Sequence, residues 1–518
     1  MAPLDYAAAG LGVAIIWAFL TSRKSTSHYL PPGPKGYPLI GNMLEMPQTN
    51  EWEKFAEWGK QYGGLFSVSI LGRRIVIINS AKIMSEFDKR GAIYSDRPVL
   101  EMGGVLVGYD QTLVLIAYGN RFRTYRKHFS RYIGAPKPIQ DIHPLIEVES
   151  RRFLKRMLKG PGNLMPNLRK LTGGIILKLT YGYEVVDGED PFINLIEHAN
   201  GNFNAATVPG AFPVDFFPAL KSLPSWFPTS GFLKTAAEWA KDTAAMVEVP
   251  WHWTKKQMAA GTAVPSFVST GLEEEKSMSE DDIRDLKLTA ASMYGGGADT
   301  TVSAEYAFFL AMLLRPEVQM KAQEEIDSVI GTDRLPHLAD RPLLPYVNAI
   351  VTEVLRWNSV APTGVPHVAI EDGYINGYFI PKGTLILANL WHMLHDPTVY
   401  PDPFTFDPAR HFETERPEYT STVTPEHPAP QTDPRGVCFG YGRRICPGMH
   451  LAETSLFSCV SRSLSVFNIE KAMGEDGKPI TPRLENTSGI ISYPKEFPYT
   501  LKPRSEKAIA LIAEDIPV

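Results

Sequence analysis

Phe439-Gly440-Tyr441-Gly442-Arg443-Arg444-Ile445-Cys446-Pro447-Gly448 is the stretch on which the reading of this chain turns. It sets one cysteine in a glycine-rich turn, beside two arginines and ahead of a helix-like run from Met449 to Val460. Thiolate, not thiol, is the form of cysteine that binds metal, and neighbouring cations lower the proton affinity of sulfur. Glycines let backbone approach a flat ligand and aim amide donors at the sulfur. A lone cysteine near glycines is more often a small buried residue, and Cys438 and Cys459, without such surroundings, are read that way.

The rest of the composition narrows the class. Of 518 residues 44% are hydrophobic, enough for a large core. The formal net charge of −5, with no basic block, argues against nucleic acid as a partner. Three cysteines without paired spacing give no disulfide framework and fit a reducing compartment. The 43 prolines cluster at Pro31–Pro38, Pro209–Pro228, Pro362–Pro366 and Pro397–Pro434, which implies long ordered loops between helices.

At the N-terminus, Tyr6 to Ser22 carries no charge and would span about 25 Å as a helix. Arg23 and Lys24 follow it directly, which places the remainder of the chain on the cytosolic side. A cleaved signal peptide would have its basic residues before the apolar run. Residues 1–24 are therefore expected to be an uncleaved membrane anchor. Residues 25–45, with Leu30-Pro31-Pro32-Gly33-Pro34, form a stiff non-helical hinge. No linker or repeat divides 46–518.

The pattern Phe-x-x-Gly-x-Arg-x-Cys-x-Gly, complete at Phe439, Gly442, Arg444, Cys446 and Gly448, resembles the haem-ligand loop of the cytochrome P-450 monooxygenases. The resemblance implies a mainly α fold with a small β-rich part and haem b with Cys446 as axial thiolate, an electron-donating ligand that favours O–O cleavage. Gly440 belongs to the same cofactor-binding loop. Three further motifs follow in the family's order. Phe122-Arg123-Thr124-Tyr125-Arg126 is similar to the Trp-x-x-x-Arg element, with Phe122 in place of tryptophan, so Phe122 packs at the haem edge and Arg126 pairs with a propionate. Tyr294-Gly295-Gly296-Gly297-Ala298-Asp299-Thr300-Thr301 resembles the distal-helix motif and is expected inside one helix from Glu280 to Leu314. Three glycines there cost about 1 kcal/mol each against alanine. The resemblance explains them: Gly296 and Gly297 leave room for bound oxygen, Thr300 hydrogen-bonds it, and Asp299 relays protons. Glu353-Val354-Leu355-Arg356, with Arg410, resembles the ion network that holds the cysteine loop. Arg444 and His367 are the remaining expected propionate contacts.

The reaction implied is insertion of one atom of O2 into a hydrophobic small molecule of terpenoid or polyketide type. Electrons come from NADPH-cytochrome P-450 reductase, with cytochrome b5 as a second donor, in the endoplasmic reticulum membrane. Arg123, Lys127 and Arg443 are the expected docking cations. The motif wording resembles fungal secondary-metabolism members near the O-methylsterigmatocystin oxidoreductase group. Two other readings stay open: a reductase-independent isomerase or dehydratase, which often lacks the distal threonine, and a haem-binding protein without turnover. The substrate pocket is expected along Val99–Ile116, Phe203–Trp226, Leu288–Thr301, Ser359–Val365 and Ser488–Ile491, with Phe203, Phe212, Phe216 and Phe217 among its aromatics.

Overall fold

Two short, largely apolar runs build the first layer. Strands β1 (Leu65–Ile70) and β2 (Arg73–Ile78) pair antiparallel from Leu65↔Ile78 to Ile70↔Arg73, turning at Leu71-Gly72. Both faces are covered. Leu65, Val76 and Ile78 join one small core, while Phe66, Val68, Ile75 and Ile77 join another against Phe55 and Trp58. That two-sided burial explains why these strands read as near-continuous apolar runs. The sheet is completed from far along the chain by β3 (His367–Val368) and β6 (Leu385–Ala388), between which lies the hairpin β4 (Gly373–Ile375) and β5 (Tyr378–Ile380). The strand order is β1-β2-β6-β3, so His367 is carried on a sheet rooted in residues 65–78.

The computed structural model describes residues 29–514, except Pro209, Ser225, Pro228, Glu274 and 412–429. The expected anchor over 1–24 lies outside these, and no helix among the described residues is long and apolar enough to cross a membrane. The described part of the proline-rich segment lies along β1. Ser67 donates its amide to the Pro32 carbonyl (2.7 Å) and its hydroxyl to that of Pro31 (2.9 Å), and Asn42 donates its amide to the Ser69 carbonyl (2.6 Å). Any Cβ at Gly33 would sit 1.8 Å from the Ser67 carbonyl oxygen, so only glycine passes there.

The body is helical. Six helices position the site: α1 (Asn120–Tyr132), α2 (Leu164–Tyr181), α3 (Glu280–Gly297), α4 (Thr300–Leu314), α5 (Pro345–Trp357) and α6 (Met449–Val466). One large core runs through them, and α4 is buried almost all round, with Phe308, Leu310, Ala311 and Met312 fully enclosed. The single helix expected from Glu280 to Leu314 is in fact two. Ala298 still bonds back to Tyr294 (3.1 Å), but Asp299 leaves helical geometry at φ −129°, and the chain restarts at Thr300. Three consecutive glycines weaken the helix just before the break. At the C-terminus the strands are β7 (Phe467–Lys471) and β8 (Tyr499–Pro503); the intervening Ser488–Pro498, expected to be strand-rich, contributes only the Pro494 partner of an isolated bridge to Asn486.

Candidate active site

The cysteine loop is shaped by two left-handed residues, Gly440 (φ 76°) and Gly442 (φ 64°), after a single helical turn at Arg435–Cys438. Cys446 donates its amide to the Phe439 carbonyl (2.8 Å), closing the loop around the sulfur. Residues 438–442 and 444–450 are all partly accessible although they lie between buried helices. Burial nevertheless pushes the Cys446 thiol up; the Gly448 amide and then Arg126 oppose it. Cys446 is thus partly accessible and desolvated at once. The charge near it differs from expectation. Arg443 and Arg444, its neighbours in sequence, turn away, and the opposing cation is Arg126 from α1, which also donates to the Ile445 carbonyl (2.6 Å).

Arg444 is bound up in protein: it donates to the carbonyls of Ser95 (2.8 Å), Leu113 (3.3 Å) and Ile116 (2.7 Å), and its guanidinium lies 4.0 Å from the Phe122 ring centroid. Beside it is an arginine that no motif pointed to. Arg97 is buried and donates to the carbonyls of Val114 (2.8 Å), Val365 (2.7 Å) and Pro366 (2.8 Å). His367 holds the Tyr94 carbonyl through Nδ1 (2.8 Å) and packs on Tyr441. Burial, then repulsion from Arg444, brings Arg97 down to about 9; burial, with Arg126 adding to it, brings Arg444 down to about 10. Burial and the same two guanidiniums, Arg97 and then Arg444, hold His367 neutral. The carboxylate facing this group is Asp96, 3.9 Å from Arg444.

At the helix break, Thr300 Oγ1 donates to the Gly296 carbonyl (2.8 Å). A Cβ on Gly296 would meet nothing within 4 Å, whereas one on Gly297 would press on Ile176 at 2.9 Å. The two glycines therefore differ: Gly296 borders open space and Gly297 seats α3 on α2. Burial pushes the Asp299 carboxyl up, while Tyr493 and then Arg169 hold it down.

Behind the loop, Glu353, Arg356 and Arg410 have side chains with no exposure at all. Arg356 holds Glu353 through two 2.8 Å bonds and adds the Leu394 and Pro403 carbonyls. Arg410 Nε lies 3.4 Å from Glu353, and a fourth member, His411, bonds it at 3.0 Å. Burial alone would raise the Glu353 carboxyl; Arg356 and His411 overcome this and hold it far below its ordinary range.

With this geometry in view, comparison with known proteins is decisive. The family model described as cytochrome P-450 matches residues 31–500. The chain belongs to the cytochrome P-450 family. Similar proteins include cytochrome P-450 monooxygenase 208 of Postia placenta, 47% identical over 510 residues (98% of this chain, 97% of the relative), and cytochrome P-450 monooxygenase claR of Ampulloclitocybe clavipes, 43% identical over 506 residues (97% and 91%). Cytochrome P-450 monooxygenase CLM2 of Gibberella zeae is 41% identical (95% and 93%). This chain is a P-450 monooxygenase of the fungal type.

The family implies haem, and the residues fit it. A haem bears two carboxylates. Arg444 adds to the depression of Arg97 and Arg126 to that of Arg444, with Asp96 as the carboxylate beside them, so a dianion there would relieve that repulsion. Cys446 and Gly296 border accessible space.

The segments expected to wall a P-450 pocket are tied together. Met102 donates its amide to Asp215 (2.9 Å), Leu113 to Ser292 Oγ (2.9 Å), Ile491 to Asn204 (3.1 Å) and Ser492 to the Val360 carbonyl (2.9 Å), and Lys221 pairs with Glu101 (3.0 Å). The four expected aromatics scatter. Phe203 packs on Tyr109 and Phe212 on Trp239, but Phe216 belongs to the sheet's small core under Arg73, and Phe217 is 52% exposed.

Proposed function

We propose that this P-450 monooxygenase holds haem b with Cys446 as its axial thiolate and oxygenates a hydrophobic small molecule of terpenoid or polyketide type. The observation that carries the reading is the sulfur itself. Cys446 stays partly accessible among buried helices, its amide closes the loop on the Phe439 carbonyl (2.8 Å), and Arg126 holds the adjacent Ile445 carbonyl (2.6 Å).

When bound, thiolate-ligated haem supplies the activation of dioxygen. The chain's own residues do the rest. Arg126, Arg97, Arg444 and His367 would supply the cationic and polar side of the haem site, and Phe122, Phe439, Gly440 and Gly448 would supply its packing surface. Arg444 acts chiefly by fixing the cysteine loop to residues 95–116, since its donors already serve three carbonyls. Gly296 would keep backbone clear of the oxygen side, whereas Gly297, expected to share that role, seats α3 on α2 against Ile176. Thr300 Oγ1 is the last protein atom of the proton path, and Asp299, its carboxyl raised by burial, holds the proton before it. The Glu353–Arg356–Arg410 network holds the loop from behind.

Electrons come from NADPH-cytochrome P-450 reductase, with cytochrome b5 as a second donor. Exposed Arg123, Lys127 and Arg443 supply docking charge: Arg123 and Arg443 flank the Tyr118 ring at 5.7 and 4.9 Å. The apolar run within 1–24 anchors the chain in the endoplasmic reticulum membrane, with the catalytic part on the cytosolic side. The test is a titration of the ferric protein with sesquiterpenes, triterpenes, fatty acids and polyketide aromatics, following the Soret band. A low-spin to high-spin shift with one of the first or last classes supports the reading. A shift with fatty acids alone overturns the substrate class, and loss of the thiolate-type spectrum in native protein overturns the ligand.

A further inference from the structure

Asp299 has a back side. A cavity of about 10 Å³ is lined by Asp299 and Ala298 at the helix break, Arg169 from α2, and Ile193, Ile196, Glu197 and Asn200 from the helix Pro191–Ala206. That volume suits one water, and the polar lining offers it more than the two partners it needs. Arg169 Nη1 donates to Glu197 (3.1 Å), and this pair is about one-third exposed. Arg169 Nε, by contrast, is buried without a protein partner. An unpaired buried donor beside a polar, water-sized cavity implies that water completes its bonding. Asn200 donates to the Gly295 carbonyl (3.2 Å), which fixes the cavity's floor to the weakened end of α3. From the C-terminal segment, the Tyr493 hydroxyl donates to the Asp299 carbonyl (3.4 Å), and burial and then Asp299 push that hydroxyl's pKa up.

We infer that this cluster is the solvent inlet of the proton path: Glu197 takes a proton from bulk water and passes it, through one water held by Arg169 Nε, to the Asp299 carboxylate. Each proton that Asp299 gives up toward Thr300 is replaced by one from Glu197, which is itself reprotonated from solvent. Arg169 keeps its charge throughout and is a positioning residue. The groups that face Asp299 are Arg169 on α2, Glu197 and Asn200 on the neighbouring helix, and Tyr493; burial raises its carboxyl against the pull of Tyr493 and Arg169, which suits a carboxyl that must both accept and release a proton. The inference rests on the relay role of Asp299 proposed above.

The test is hydrogen–deuterium exchange at the Asp299 carboxyl in ferric holoprotein. Its C=O stretch is assigned by its loss in Asp299→Asn and followed by infrared after mixing with D2O at acid pH. Glu197→Gln should slow that exchange at least about tenfold, with Glu197→Asp restoring it and the Soret band unchanged. Native exchange in Glu197→Gln overturns the inlet, even where Asp299→Asn abolishes coupled turnover. Full coupling in Asp299→Asn overturns the relay instead, a separate result.

Discussion

The guanidinium of Arg444 lies 4.0 Å from the centre of the Phe122 ring, so the residue that replaces the family's tryptophan packs flat against the cysteine loop. An indole at this position offers a donor. Phenylalanine offers only its face, and the loop's arginine covers it. Such a desolvated cation–π contact is worth about 2 kcal/mol beyond the area buried. Phe122→Ala removes both and should cost about 3–5 kcal/mol, read as a lower denaturation midpoint with concurrent haem loss. A shift under about 1 kcal/mol would show that Arg444 is held by its carbonyl partners alone.

Breaking the buried ion network should do more than weaken the fold locally. Glu353→Gln leaves Arg356 and Arg410 with fractional compensation, at a cost of about 3–5 kcal/mol. Haem content of the purified variant is the measurement, and full loading would refute the loop-holding role. The same carboxyl sets an acid limit. Its folded pKa lies below the ordinary 4.5, so its stabilisation is complete above about pH 4.5 and drains away as pH falls toward the folded value.

A second pH effect begins nearer neutrality. Burial, then Arg356, brings His395 from 6.5 down to about 3. A histidine depressed in the fold favours folding while both states are neutral. That stability is full above 6.5 and falls by about 1.4 kcal/mol per unit as pH drops toward 3. His395→Gln should flatten unfolding free energy against pH across that window by about one proton. An unaltered slope would mean that other groups bind the proton.

Gly296 and Gly297 should separate packing from chemistry. Gly296→Ala meets open space, so it should leave stability unchanged or raise it by up to about 1 kcal/mol. Its methyl group nevertheless occupies that space one turn before Thr300 and should weaken spin-shifting ligands. Gly297→Val drives into Ile176 and should cost about 1–3 kcal/mol. Equal losses in both variants would contradict the assignment of one glycine to space and the other to helix contact.

Charge reversal at Arg123, Lys127 or Arg443 should raise the Michaelis constant for reductase severalfold, more so at low salt, without moving the haem spectrum. Arg443 also donates to the Tyr118 hydroxyl (2.6 Å), so Arg443→Glu requires a thermal-stability control. An unchanged constant in all three would place the docking surface elsewhere.

Local spacing made much of this legible. Cys446, Thr300, Glu353 and Arg356 lie in short motifs whose residues remain neighbours after folding. What stayed hidden was long-range. Arg97 reaches Val365 across 268 residues, and it sits in no motif of its own. His411 stands next to Arg410, yet only the folded approach to Glu353 reveals it as a fourth member. The break at Asp299 was half visible: three glycines announced a weak helix, but not where its bonding would stop. The two arginines flanking Cys446 misled for a related reason. Sequence adjacency does not say which way a side chain turns, and the charge that reaches the sulfur comes from α1.

The proline segment laid along β1 makes the sheet a connecting element. Prolines have no amide to offer, so Pro31 and Pro32 present carbonyls to Ser67 and close an edge that would otherwise invite another strand. The segment ahead of the sheet is thereby joined through β1, β2 and β6 to β3, the strand that ends the sheet with His367. The chain's leading segment and the proposed cofactor site share one sheet, four strands wide.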